Sequence, residues 1–425
     1  MTFLIHNPLT RFIAQVVAVT VLSRGIGLVA RRFSQPLVIA EMLGGIVLGP
    51  SLLGWVAPDL WGELFTPDSL VVLRLVSQFG LVFFMFLVGL ELDPKHYRGS
   101  NAASVLIAQS GIFVPFALGG ILAFWIYPVY GGTNTSKIAF VLFTGAAMSV
   151  TAFPVLARIL TEQRLFSTRI GAVTIACAAI ADVTAWCVLA FIVTVARHAA
   201  LSDAVFTTVA AIGYIGVMLG AVRPLLSKLA SRLPAPDAIP QNVIVVVVVF
   251  VLLSSWATEL IGIHALFGGF LAGVIMPKEH GFAQAIGRRL EDLVVVVFLP
   301  LFFASSGLQT QIGLLSGARD WAVCGLIVFI ACAGKFGGCA AAARAVGFRW
   351  CEASAIGVLM NTRGLMELIV LNIGLELGVI SPIVFSMMVI MALVTTIGAT
   401  PVLRWLAPSL VRPPTIDLEA LAPSS

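Results

Sequence analysis

The chain has 425 residues, of which 60% are hydrophobic and 11% charged, and its formal net charge is +5. Soluble domains carry about 25% charged residues, so this composition excludes a soluble globular protein and indicates a chain that crosses a membrane many times. In a soluble domain the basic excess would suggest nucleic acid; here loop topology accounts for it, and no nucleic-acid partner is expected.

A transmembrane helix needs about 20 mostly apolar residues. Cutting the chain at clusters of proline, glycine and charge predicts about thirteen such segments, near 9–30, 35–54, 69–91, 102–127, 138–160, 170–197, 204–229, 239–260, 263–277, 291–309, 320–346, 352–377 and 382–407. No basic leader with a short apolar run and small-residue cleavage site stands at Met1, so the first segment reads as a retained span. Lys and Arg concentrate in the loops after odd-numbered segments, among them Arg31, Arg32, Lys95, Arg98, Arg164, Lys278, Arg288 and Arg349. Basic loops stay on the cytoplasmic side. The N-terminus is therefore expected outside and the C-terminus inside, which requires an odd number of crossings.

The fifth and twelfth segments look broken. In "MSVTAFPVLARIL", Thr151 and Pro154 stand in mid-span, and an interior proline removes a donor and clashes with the preceding turn. In "LMNTRGLMELIV", Asn361, Thr362, Arg363 and Gly364 lie at matching depth. Interrupted segments at corresponding positions of two halves mark an inverted-repeat transporter with a site near the midplane. The repeats are expected at about 9–197 and 239–407, with a linker helix at about 204–229 and a short cytoplasmic tail at 408–425, after a transmembrane domain covering 1–407.

Two deep charges accompany the breaks, Asp182 in "AIADVTAW" and Lys335 in "ACAGKFGG". A charge at the bilayer centre costs roughly 2.5 to 3.5 kcal/mol even on lenient scales, so such residues mark ion paths, proton relays or paired counter-ions. Burial and a nearby cation act on a carboxyl group's proton affinity in opposite senses. Asp182 is thus suited to hold either a proton or a monovalent cation, and the hydroxyls of Ser149 and Thr151, with carbonyls freed at Thr151, Ala152 and Phe153, would supply oxygen ligands. If the site moves only when occupied, this competition yields exchange.

Each residue also has a plainer role open to it. Asp182 could serve helix packing, Lys335 could snorkel, and Thr151 and Asn361 could cap half-helices. Arg363 and Glu367, at i and i+4, form a possible pair that is either structural or functional. His264 in "IGIHALFGG" reads as a structural residue near a helix start, and Glu91 and Asp93 as a helix end. Gly334, Gly337 and Gly338 read as close packing around the lysine. The six cysteines (Cys177, Cys187, Cys324, Cys332, Cys339 and Cys351) lie in apolar segments without metal-ligand spacing, so packing is expected, with no metal beyond the transported ion and no cofactor.

The stretches "GGIVLGPSLLG", "LVFFMFLVGLELDP", "TAFPVLARIL", "ADVTAW", "TELIGIHALFGGFLAGVIMP", "LPLFFASSGLQT", "ACAGKFGG" and "MNTRGLMELIVLNIGLELGVI" resemble, in collinear order over most of the chain, the monovalent cation:proton antiporter-2 family, especially its plant-type cation/H+ exchanger branch and bacterial relatives. The resemblance implies an all-α sodium/proton antiporter fold of thirteen helices, a homodimer, an elevator-like moving core, and exchange of K+ or Na+ for H+. It places the ion-binding aspartate on Asp182, the membrane-embedded lysine on Lys335, and the unwound crossing helices on Thr151–Pro154 and Asn361–Gly364.

The sequence departs from that pattern at Ala181, where relatives carry Asn, Asp or Gln. Without that group Lys335 must pair with Asp182, find oxygen from the broken helices, or stay neutral, and one-for-one exchange is preferred. The short tail departs too, and no G-x-G-x-x-G motif for nucleotide control is present. Two other functions remain open: a sodium-coupled organic-anion symporter with Arg363 holding a carboxylate, and a transport-dead sensor or partner. No nucleophile–base pair or H-E-x-x-H motif suggests an enzyme. The absence of targeting signals and the basic inner loops suggest a bacterial plasma membrane, in contact with lipid.

Overall fold

In hydrocarbon every backbone N–H and C=O must find its partner within the segment or against protein, so long apolar runs fold as helices and irregular backbone survives only where other helices bury it. The computed structural model describes residues 7–32, 35, 37–91, 102–131, 136–163, 165, 168–197, 201–230, 240–278 and 281–407. Asp93, Lys95, Arg98, Arg164, Arg232, Arg412 and the tail at 408–425 lie outside the described residues.

The helices in chain order are α1 (Pro8–Arg32), α2 (Leu37–Leu48), the short α3 (Leu53–Val56) and α4 (Pro58–Leu64), α5 (Pro67–Glu91), α6 (Ala102–Tyr130), α7 (Lys137–Ser149), α8 (Phe153–Glu162) and α9 (Arg169–Arg197). Next comes α10 (Leu201–Val217), which runs through a π-helical turn at Met218–Val222 into α11 (Arg223–Ala230). The remainder are α12 (Gln241–Ile261), α13 (Ala265–Ile275), α14 (Phe282–Leu293), a second π-helical turn at Val294–Phe298 that leads into α15 (Leu299–Gln309), α16 (Ala318–Ala345), α17 (Trp350–Met360), α18 (Leu365–Glu376) and α19 (Pro382–Leu406). Among the described residues 10 stretches are long and apolar enough to cross a membrane. The protein is an integral multi-pass membrane protein. The fifth, ninth and twelfth predicted segments contain the shorter apolar helices α7, α13 and α17.

The helices sort into two packed groups. In one, α2 lies between α1 and α15, and α13 lies between α5 and α12. In the other, α6 packs on α7, α9 and α16, while α16 also contacts α17 and α19. Burial separates centre from rim: 72% of the most apolar window of α19 is buried, against 6% for the span at Phe206–Ala230. The expected linker helix therefore lies at the periphery, and α19 runs through the interior.

One boundary differs from expectation. The tenth segment was placed at 291–309, yet the helix starts at Phe282. Its first part, α14, buries Ala283 and Ile286 and exposes Gln284, Arg288 and Glu291, so a polar face that cutting by charge treats as loop is one side of an amphipathic helix.

Candidate functional site

The fifth segment breaks, and the position of the break follows from proline chemistry. Helix α7 ends at Ser149, Val150 is extended (φ −68°, ψ 145°), and α8 begins at Phe153. Pro154 therefore stands in the first turn of α8, where its missing N–H costs nothing because no intrahelical acceptor exists there. The unwound residues are Val150, Thr151 and Ala152, which precede the proline. In the twelfth segment α17 ends at Met360 and α18 begins at Leu365, leaving Asn361, Thr362, Arg363 and Gly364 as the link.

The two links touch. The N–H of Ala152 donates to the carbonyl of Thr362 at 3.0 Å, so the unwound segments cross with a direct backbone bond. Gly364 sits against Val155 and Ala152, whose side chains a Cβ would meet at 3.1 and 3.6 Å. The Arg363 backbone is gripped from α19: its N–H donates to Thr396 Oγ1 at 3.0 Å, and the same hydroxyl donates to the Arg363 carbonyl at 2.7 Å.

A helix end leaves carbonyls without intrahelical donors and carries about half a negative charge; the start carries the opposite. At the α7 end two buried cations meet those carbonyls. The Arg363 guanidinium donates to Ala147 O at 3.3 Å and Met148 O at 2.7 Å, and the Lys335 ammonium donates to Ser149 O. Lys335 is 0% and Arg363 1% exposed. Of the three fates open to Lys335, finding oxygen from a broken helix is the geometry seen. The approach of α16 to α6 that sets its depth depends on Gly334 and Gly338, where a Cβ would meet Pro115 Cα at 3.0 Å and Ser110 O at 2.9 Å; Gly337 faces open space.

Acids stand at the positive ends. Glu367 lies in the first turn of α18, fully buried, 3.6 Å from Arg363 as an i, i+4 ion pair. Asp182, on α9, is 5% exposed and its Oδ1 has no hydrogen-bond partner. It lines a cavity of ≈ 630 Å³ together with Phe153 of α8 and Met366 of α18, so the carboxylate opens onto the space beside both helix starts. The cavity continues along Leu87 and Val88 of α5 to Lys278, Arg288 and Glu291. Lys278 donates to the carbonyls of Gly89 and Leu90 at the end of α5.

Other buried oxygens at the crossover also lack hydrogen-bond partners: Thr151 Oγ1, Asn361 Oδ1 and both carboxylate oxygens of Glu367, which is held by the Arg363 ion pair. The Asn361 amide nitrogen donates to Cys332 Sγ at 3.5 Å. Ser149 differs, because its hydroxyl donates to Ala146 O at 2.8 Å and its carbonyl receives Lys335. Ala181 is buried beside Asp182 at 2% exposure and offers no polar atom. Among the described residues no cluster of three or more His, Cys, Asp or Glu has the makings of a metal site, and all six cysteines are free, Cys187 being exposed.

Several polar residues that pattern reading passed over lie at the opposite end of α18. Asn372 Nδ2 donates to Ser306 Oγ at 2.8 Å and its Oδ1 accepts from Gln309 at 3.0 Å. Glu376 accepts from Gln78 at 2.5 Å and lies 3.9 Å from His264 Nε2. His264 also caps α13, its Nδ1 accepting from Leu266 N at 3.4 Å. The i, i+4 spacing of Asn372 and Glu376 in a mostly apolar helix was the available signal; its significance needed the neighbours.

Comparison with known proteins gives a consistent picture. Residues 17–408 match the family described as sodium/hydrogen exchanger, transmembrane. A Na+/H+ antiporter, NhaS4, of Synechocystis is 43% identical over 404 residues, covering 95% of this chain and 98% of that protein. Cation/H+ antiporter 17 of Arabidopsis thaliana is 40% identical over 93% of this chain, and K+/H+ antiporter 1 of Saccharomyces cerevisiae 32% over 96%; the alignments span 48% and 47% of those longer proteins. The solved sodium proton antiporter MjNhaP1 of Methanocaldococcus jannaschii superposes with a TM-score of 0.68 at 14% identity, covering 96% of this chain and 100% of that one. That likeness shows a common fold.

Proposed function

Because the chain belongs to the transmembrane sodium/hydrogen exchanger family, we propose that it is a secondary antiporter that exchanges a monovalent cation, K+ or Na+, for H+ by alternating access at Asp182. It is a transporter and not an enzyme. The observation that carries the reading is a buried carboxylate that has an oxygen without a hydrogen-bond partner and lines a cavity together with residues from two helix starts. A carboxylate there holds a proton or an alkali cation, never both, and the helix dipoles favour its negative form between the two. Thr151 is the better hydroxyl ligand, since its Oγ1 is unpartnered whereas Ser149 already spends its proton and its carbonyl. Lys335 and Arg363 offset charge by holding the α7 carbonyls while the site exchanges its occupant.

Positive-inside topology assigns the Lys278 and Arg288 mouth to the cytoplasm, with the N-terminus outside. A homodimer in a bacterial plasma membrane is the expected assembly. Stoichiometry is one for one: Ala181 brings no second acid, and Glu367 is held against Arg363 away from the cavity. The organic-anion symporter reading loses its anchor, because the Arg363 guanidinium is buried and committed to two carbonyls and Glu367.

The test is exchange in proteoliposomes loaded with a pH-sensitive dye, comparing parent and Asp182→Asn with K+, Na+, Li+ and choline. Cation-driven proton movement is expected in the parent and absent in the variant. Equal exchange in both would remove Asp182 from the mechanism; none in the parent would favour the transport-dead alternative.

A further inference from the structure

The Asp182 cavity and a second, much smaller one are both lined from α5 and α18. Along α5 the positions lining the Asp182 cavity run Leu87 and Phe84, and the same stripe continues through Leu81, Gln78, Ser77 and Arg74. Along α18 the stripe starts at Met366 in the cavity and continues through Ile369, Asn372, Ile373 and Glu376. These spacings of three and four put the lining residues of each helix on one of its faces. At the cavity end the faces stand apart around ≈ 630 Å³; at the other end the same faces enclose ≈ 20 Å³.

What closes the narrow end is polar. Hydrogen bonds run from α18 to α5 (Glu376 to Gln78) and to α15 (Asn372 to Ser306 and Gln309), and Glu376 lies 3.9 Å from His264 at the start of α13. A seam meant to stay shut inside a membrane protein would be expected to be filled by apolar side chains. Here Ser77, Gln78, Ser305 and Asn372 are interleaved with Leu81, Phe302 and Ile369. Hydrogen-bonded polar groups can part and rehydrate at modest net cost, about 0.5 to 1.5 kcal/mol each.

We propose that the seam between α5 and α18 is the outward half of the ion path, and that Asn372 and Glu376, bonded to Ser306, Gln309, Gln78 and His264, are the gate that closes it. The proposal rests on alternating access at Asp182. In the cycle α18 moves away from α5 at this end, the bonds break, and a polar channel with Glu376 at its mouth leads past Ile369 to the site. Asn372 and Glu376 are positioning residues, since they act on access and not on the exchanged ion.

Thiol accessibility tests the gate without requiring transport. Ile369→Cys, fully buried in the closed seam, and Val88→Cys, on the cavity wall, are placed separately in a Cys187→Ser background and labelled with a membrane-impermeant maleimide from each side. Adding Asn372→Ala and Glu376→Ala should raise outer-side labelling of the Ile369 position at least threefold and lower inner-side labelling at the Val88 position. Unchanged labelling at both would overturn the gate, even if antiport itself is intact. As a second arm, Gln78→Cys with Glu376→Cys is bridged by a short bis-methanethiosulfonate, which forms a disulfide with each thiol. Exchange should fall at least tenfold and return on reduction; undiminished exchange by fully bridged protein would also overturn it. If the unbridged parent shows no exchange, the antiport reading fails while the labelling result still decides the gate.

Discussion

The two broken helices touch at their links, yet they neutralise their ends with different chemistry. At the α7 end, carbonyls 147 to 149 are met by a guanidinium and an ammonium; at the α17 end, the Leu359 carbonyl is met by the Thr362 hydroxyl at 2.8 Å. The starts differ in the same way. Helix α18 carries Glu367 in its first turn, locked to Arg363, whereas α8 has no acid in its first turn and faces Asp182 from another helix across an open cavity. The two acids thus sit differently: Glu367 is ion-paired with Arg363 at 3.6 Å, whereas Asp182 lines a cavity, and on the proposed mechanism it is the one that changes its partner.

The largest break in this comparison should come from Arg363→Ala, which strands Glu367 and two α7 carbonyls in a dry interior. Removing one partner of a buried pair costs about 3 to 5 kcal/mol, so the variant should yield little folded protein or a large drop in thermal midpoint. The double replacement with Glu367→Ala should cost less than the sum of the singles, and strict additivity would mean the pair is not coupled. Lys335→Met removes one charge-assisted bond and should lower stability by about 1.5 to 3 kcal/mol, with exchange also lost. Full stability would show that the Ser149 carbonyl does not need the ammonium.

Thr362→Val sharpens the comparison from the other side, costing about 0.5 to 1.5 kcal/mol for one neutral bond; a loss as large as that for Arg363 would erase the proposed asymmetry. Smaller still is the effect of membrane potential. One-for-one exchange moves no net charge and should change less than twofold when 100 mV is clamped by potassium and valinomycin, although that potential is worth about 2.3 kcal/mol per charge. Potential-driven exchange would require a second titrating group.

Sequence pattern was enough to mark the apolar helices, the two interrupted segments and the burial of Asp182 and Lys335, because intramembrane charge and interrupted hydropathy are strong, local signals. It misplaced the first break. Pro154 drew attention to itself, but the helix unwinds before it, since a proline is comfortable in a first turn. The bond from Arg363 to the α7 carbonyls spans a sequence separation of 215 residues, and no periodicity encodes a contact that only the crossing creates. Glu367 was visible as an i, i+4 neighbour of Arg363, yet its burial at a helix start depends on packing. The spacing of Asn372 and Glu376 does not disclose their role, since their partners come from α5, α13 and α15, which only the fold brings to them.

Competition for Asp182 is tested most directly by proton release from purified protein in weakly buffered detergent solution on addition of K+ or Na+, with choline as control. The account predicts that the transported cation expels protons from the parent near neutral pH, with an apparent cation affinity that weakens as pH falls, and that Asp182→Asn releases none. Cation binding without proton release from the parent, or unchanged release from the variant, would contradict it.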